Sequence, residues 1–139
     1  MTDGFTLHER LAADTIELTR WPLSLVLLIN DRHWPWLILV PRRAGLREIH
    51  ELDAADRGVL IEEIARASRG LDMAFRPAKI NVAALGNMVP QLHVHVIARF
   101  ADDPAWPRPV WGTVPPKPYA AVELAVRRDD LRRTFDATR

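Results

Sequence analysis

Apolar and polar positions along this 139-residue chain change their period several times, and each change marks an element. From Asp14 the runs DTIELTRW, PLSLVLLIN and WLILVP gather branched and other apolar residues between turn-forming Trp-Pro, Asn-Asp-Arg-His and Pro-Arg-Arg segments, which predicts three strands. Their short spacers favour antiparallel neighbours. Asp53 with Asp56 three positions on is an N-cap signal. Leu60, Ile64, Ala67, Leu71 and Ala74 then recur at helical spacing opposite Glu62, Glu63, Arg66 and Arg69, predicting an amphipathic helix that ends before Pro77. Residues 79–85 and 91–100 read as two further strands, with a sharp change of direction at Gly86-Asn87-Met88-Val89-Pro90. The expected class is α+β, an antiparallel sheet of about five strands with one main helix covering a face.

Six of the eleven prolines fall between Pro104 and Pro118, together with Trp106 and Trp111, so this segment is expected to be an extended arm rather than a central strand or continuous helix. After it Ala121, Leu124, Leu131 and Phe135 fit a C-terminal helix, with Arg127, Arg128, Asp129 and Asp130 facing water. The length suits one domain over residues 1–139, with a core at 14–100, the arm at 101–118 and the last helix at 119–136.

Charge and composition narrow the functions. A formal net charge of +1 gives no global field for wrapping nucleic acid or lying on an anionic membrane, so any phosphate site must be local. The absence of cysteine removes thiolate catalysis and thiolate metal ligands. The N-terminus lacks an apolar stretch of signal-peptide length, and the apolar run from Trp21 to Ile29 is too short to span a bilayer, so a cytoplasmic protein is expected.

The candidate chemistry lies in QLHVHVIAR, residues 91–99. Strand side chains alternate, so Gln91, His93, His95 and Ile97 share one face while Leu92, Val94, Val96 and Ala98 pack inward beneath the helix. Three readings are compatible with this pattern. The histidines can occupy a solvated sheet face. They can chelate a metal as His-x-His, although His8, His33 and His50 show no diagnostic spacing for the further ligands such a site needs. Or one histidine can attack a phosphate centre while its neighbour binds the non-bridging oxygens, two roles that an imidazole's titration near neutrality lets a pair divide.

Gln91-Leu92-His93-Val94-His95-Val96-Ile97 resembles the histidine triad signature, His-φ-His-φ-His-φ-φ with φ apolar, with glutamine in place of the first histidine. The similarity extends from about residue 14 to 100: Asn30 at a strand end, the WLILVP strand, the capped helix, and Lys79 through ALGNMVPQLHVHVIARF follow the order of the histidine triad (HIT) superfamily. The Gln-Leu-His-Val-His version is similar to a bacterial branch labelled diadenosine tetraphosphate hydrolase-like.

The resemblance implies a nucleotide hydrolase or nucleotidyl transferase cleaving a phosphoanhydride, phosphoramidate or phosphoester at the α-phosphate, diadenosine polyphosphates among the substrates. His93 then falls on the nucleophile that forms a nucleotidyl-histidine intermediate, oriented by the Gln91 carbonyl, and His95 on the phosphate-oxygen ligand. Asn30 and Asp31 match the region that holds ribose hydroxyls. Asn87 lies where the preceding loop can cradle an anion. Gln91 can donate a hydrogen bond to a phosphate oxygen or leaving group but cannot become cationic. Trp36 stands where many members carry a histidine, and either stacks on a base or caps the core. Arg42, Arg43, Arg47, Lys79 and Arg99 are candidates for steering a polyphosphate. No metal or cofactor is implied; the partners implied are a nucleotide and a second copy in a two-fold dimer. The arm is expected on that partner or on the rim of the site. The alternatives are a catalytically weak nucleotide-binding or sensor protein and, behind it, a metal-binding His-x-His protein.

Overall fold

The computed structural model describes residues 4–138. Its elements run in the order α1 (Glu9–Asp14), β1 (Thr15–Arg20), β2 (Ser24–Ile29), β3 (Trp36–Pro41), α2 (Ala54–Phe75), β4 (Lys79–Ala83), β5 (Val94–Arg99) and α3 (Ala121–Ala137), with a short 3-10 turn at Ile49–Glu51. The strands form one antiparallel sheet in the order β1-β2-β3-β5-β4, so the last strand enters between β3 and β4. That insertion places the histidine strand in the sheet's interior, where neighbours on both sides hold its main chain. The predicted α+β architecture is the observed one.

Asp53 accepts a hydrogen bond from Asp56 N at 2.8 Å and opens α2 as its N-cap. The helix ends at Arg76, whose main chain is left-handed, immediately before Pro77. Leu60, Ala67 and Leu71 pack on Leu92, Val94, Val96 and Ala98 of the sheet, and Leu131 and Phe135 of α3 close the same core. Gly70 lets α3 approach, because a Cβ there would stand 2.5 Å from the Phe135 ring. Two helix assignments differ from expectation. Ala74 is exposed, lying past the end of the apolar stripe, and Glu63 is buried, its Oε2 accepting the Leu23 main-chain N–H at 2.9 Å in the β1–β2 connection.

The other sheet face is not solvated either. It carries a second core in which Trp34, Trp36, Ile38, Val40 and Ile97 meet Ala105 and Val110 from the proline-rich segment. That segment is a succession of turns folded onto its own sheet, not the expected extended arm. Asp103 sets this course. Its carboxylate accepts from the Arg99 guanidinium at 2.8 and 3.0 Å and from the main-chain N–H groups of Phe100, Ala105 and Trp106. Arg99 is 1% exposed and also donates to Asn81 Oδ1, so it is a buried structural cation and not a polyphosphate-steering one. Burial works against the Asp103 charge, but Arg99 and the Phe100 and Ala105 N–H groups outweigh it and hold the carboxyl far below its usual range.

Asp103→Ala leaves Arg99 buried without its counter-charge and the turn without its acceptor, so the expected loss is about 3 to 5 kcal/mol of folding stability, measurable by urea denaturation. A loss below 1 kcal/mol would show that the pair does not hold the segment.

Candidate active site

The site starts from an alternation. Val94 and Val96 are committed to the helix side, so His93 and His95 must face the opposite side. His95 lies within β5, across from Ile38 of β3 and Ala83 of β4, while His93 sits one residue before the regular strand. Their rings pack edge to face with centroids 4.9 Å apart.

Each ring has its proton placed by a fixed partner. His93 Nδ1 lies 2.7 Å from the Gln91 carbonyl oxygen, which can only accept, so Nδ1 carries the hydrogen and Nε2 presents a lone pair. His95 shows the reverse arrangement. Trp36 Nε1–H, which can only donate, points at His95 Nδ1 from 2.9 Å, leaving the proton of the neutral ring on Nε2. Burial, with a smaller contribution from the neighbouring His93, pushes His95 down to about 3, so it stays neutral at physiological pH. A nucleophilic nitrogen and a hydrogen-bond donor thus stand side by side. Trp36 is buried and serves as the tautomer-setting donor, a role intermediate between the two readings its position suggested.

Both histidines border a cleft of about 920 Å³, within the range of small-molecule sites. Its walls are α1 with His8 and Asp14, the apolar floor of Ile29 and Ile38, the 85–89 loop, and Trp111. Asn87 lies on the loop wall, and Gly86 takes a positive φ of 78° that turns the loop toward the cleft. Trp111 stands edge-on to His95 at 5.0 Å and to Trp36 at 5.7 Å, which puts the arm on the rim of its own chain's site.

Gln91 acts differently from a phosphate ligand. Its Oε1 accepts the His8 main-chain N–H at 2.8 Å and its Nε2 donates to the Thr6 carbonyl at 2.9 Å. The amide thereby holds the N-terminal segment that becomes a cleft wall, while the carbonyl of the same residue orients His93. Asn30 and Asp31 are not brought to the cleft walls. Asn30 Oδ1 accepts Tyr119 N–H at 2.9 Å, and the buried Asp31 accepts from the main-chain N–H groups of His33 and Lys117, pairing also with the His33 ring at 2.7 Å. They tie the chain after β2 to the segment leading into α3. Arg42 donates to the carbonyls of Trp21, Pro22 and Leu23, and Arg43 pairs with Asp56 at 2.8 Å.

The α1 wall was not legible in advance. Its six residues carry too few apolar positions to show a period, although the His8 side chain caps it by accepting from Arg10 N at 3.0 Å. Among the described residues no group of three or more His, Asp or Glu is placed to hold a metal ion. No described helix is long and apolar enough to cross a membrane.

The HIT domain family model matches residues 11–102. Among solved structures, a histidine triad protein from Marinobacter aquaeolei VT8 is 50% identical with a TM-score of 0.93, over 97% of this chain and 98% of that one. One from Bradyrhizobium japonicum is 49% identical with a TM-score of 0.92, over 95% and 98%, and one from Sinorhizobium meliloti 1021 is 44% identical with a TM-score of 0.93, over 96% and 99%. No curated protein matches the chain.

Because His95 is held neutral in the fold but titrates near 6.5 once unfolded, the unfolded chain binds the extra proton. Its contribution to stability is present above about 6.5 and is lost as pH falls toward about 3, with a slope of at most about 1.4 kcal/mol per pH unit. Urea midpoints measured across that range should fall more steeply for the wild type than for His95→Asn, and parallel curves would refute the buried neutral state. Gln91→Ala should release the segment that its amide clamps. Hydrogen–deuterium exchange at residues 5–8 is expected to rise at least about tenfold, against unchanged exchange in β5.

Proposed function

This chain belongs to the HIT domain family, whose members are generally nucleotide-binding or nucleotide-hydrolysing proteins, and we propose that it cleaves a nucleotide at the α-phosphate through a covalent intermediate on His93. The observation that carries this reading is the pair of complementary tautomers at the cleft, a lone pair on His93 Nε2 next to an Nε2–H on His95. In the first step His93 Nε2 attacks phosphorus, a P–N bond forms, and the bond to the leaving group breaks with its electron pair going to that group. His95 Nε2–H donates to a non-bridging oxygen as charge grows there, and the Asn87 amide adds to the cradle. Water then attacks phosphorus and gives up a proton to solvent, the P–N bond breaks with its electron pair returning to Nε2, and the nucleoside monophosphate leaves with His93 restored.

The Gln91 amide is occupied by Thr6 and His8, so position 91 supplies no proton to the departing group. That favours substrates whose leaving group departs as an anion without protonation, which means phosphoanhydrides ahead of phosphoramidates and alkyl esters. Dinucleoside polyphosphates, diadenosine polyphosphates among them, meet this requirement. The same observation supports the second reading, a nucleotide-binding protein with little turnover, since the cleft and the two oriented rings remain.

His93→Ala should abolish hydrolysis of a diadenosine polyphosphate by at least about a thousandfold while leaving the urea midpoint near that of the wild type. Intact-mass analysis after a rapid quench at neutral to alkaline pH should show a nucleotidyl adduct on the wild type and none on the variant. Turnover by the variant at the wild-type rate would refute the nucleophile, and binding without turnover by the wild type would select the sensor reading.

A further inference from the structure

His93 borders a second cavity, of about 640 Å³, on the side of the loop leading into α2. Its walls differ from those of the first. Arg47, His50 and Arg57 enter it with Glu48, over a floor that includes Leu85 and Leu92. Arg57 is anchored there by donating to the Leu52 carbonyl, so its charge is held in place, while among the described residues no hydrogen bond or ion pair fixes the exposed Arg47 guanidinium. The acids nearby offset this charge only in part. Glu51 accepts the main-chain N–H groups of Arg47 and Glu48 at 2.9 and 2.7 Å, bonds that with the nearby Arg47 and His50 hold its carboxyl low, but it does not line the cavity, where Glu48 is the one carboxylate beside two arginines.

We propose that this cavity binds the anionic part of the substrate beyond the scissile bond, a polyphosphate chain, while the apolar cleft takes the nucleoside. This rests on the reading of His93 as nucleophile, since His93, with Leu85 and Gly86, borders both spaces. An anhydride bond leaves opposite to the incoming nitrogen, and the flexible phosphate chain beyond it can turn back to guanidinium groups, which pair with phosphate oxygens through two parallel hydrogen bonds. The division of labour follows from the linings. A purine or pyrimidine gains from the Ile29, Ile38 and Trp111 surface, whereas a second nucleoside placed against Arg47 and Arg57 gains nothing comparable. The cavity therefore selects substrates by the charge of the leaving chain, not by a second base.

The test uses inorganic tripolyphosphate as the probe for the second cavity and adenosine monophosphate for the first, both by calorimetry on the full chain. Wild-type protein is expected to bind both. Arg47→Gln and Arg57→Gln together are expected to weaken tripolyphosphate by about tenfold or more and to leave adenosine monophosphate within about twofold, which also reports that the variant is folded. Arg47→Gln alone, which disturbs no side-chain bond of the fold, should give part of the loss. In turnover, the double variant should lose kcat/KM for adenosine tetraphosphate by a similar factor and keep it for adenosine 5′-phosphoramidate, whose leaving group carries no phosphate. Absence of tripolyphosphate binding to the wild type, binding indifferent to both arginines, or an equal loss for adenosine monophosphate would each overturn the proposal. Arginine-dependent tripolyphosphate binding with no turnover of any nucleotide would instead sink the nucleophile reading and leave the anion cavity standing.

Discussion

The site depends on the main chain of Gln91. Its carbonyl takes the Nδ1 proton of His93, and without that acceptor the imidazole would be free to carry its hydrogen on either nitrogen. A carbonyl is a durable choice for this task because it is supplied by any residue at position 91. The side chain there takes no part in orienting the ring, and its amide serves as a brace, satisfied at both ends by the main chain of residues 6 and 8. The same residue thus orients the His93 ring and anchors a wall of the cleft. A glutamine amide is neutral, with one donor and one acceptor end, which is the complement a main-chain segment requires.

The second constraint is that both faces of the sheet are buried. A four- or five-stranded sheet with one face open would leave His95 in water, where an imidazole titrates near neutrality and its tautomer fluctuates. Trp34, Trp36, Val110 and Trp111 instead form a second layer, and the nearest member donates to His95 Nδ1. Desolvation then keeps the ring neutral and gives its Nε2–H a lasting role as a donor. This layer stays in place because Asp103 turns the chain back immediately after β5, held by a guanidinium that the sheet itself buries. The ion pair is remote from the His93 and His95 rings, yet the course of the segment carrying Trp111 follows from it.

Charge is distributed with comparable economy. The chain is nearly neutral, and most of its arginines near the strand ends are spent on carbonyls or carboxylates of the same molecule. Arg47 and Arg57 differ in bordering a cavity that His93 also borders. An apolar cleft and a basic cavity thus meet at His93.

The strands, the capped helix and the pairing of His93 with His95 were all readable in the chain, because each rests on a short-range period or a local cap: two residues for QLHVHVI, three to four for Leu60 through Leu71, and Asp53 facing Asp56 N. The orienting role of the Gln91 carbonyl was implied by the family resemblance, and the contact itself joins groups only two residues apart. Tertiary structure alone decided the rest. Trp36 meets His95 across 59 positions, Gln91 meets His8 across 83, and Asn30 meets Tyr119 across 89. Asn30 and Asp31 read as substrate ligands and Arg99 as a steering charge because nothing local reveals that a distant segment will use them first. The prolines between Pro104 and Pro118 excluded a strand or helix, but whether such a segment extends into solvent or folds back depends on a buried acceptor, and that is a property of the packed sheet and not of the segment.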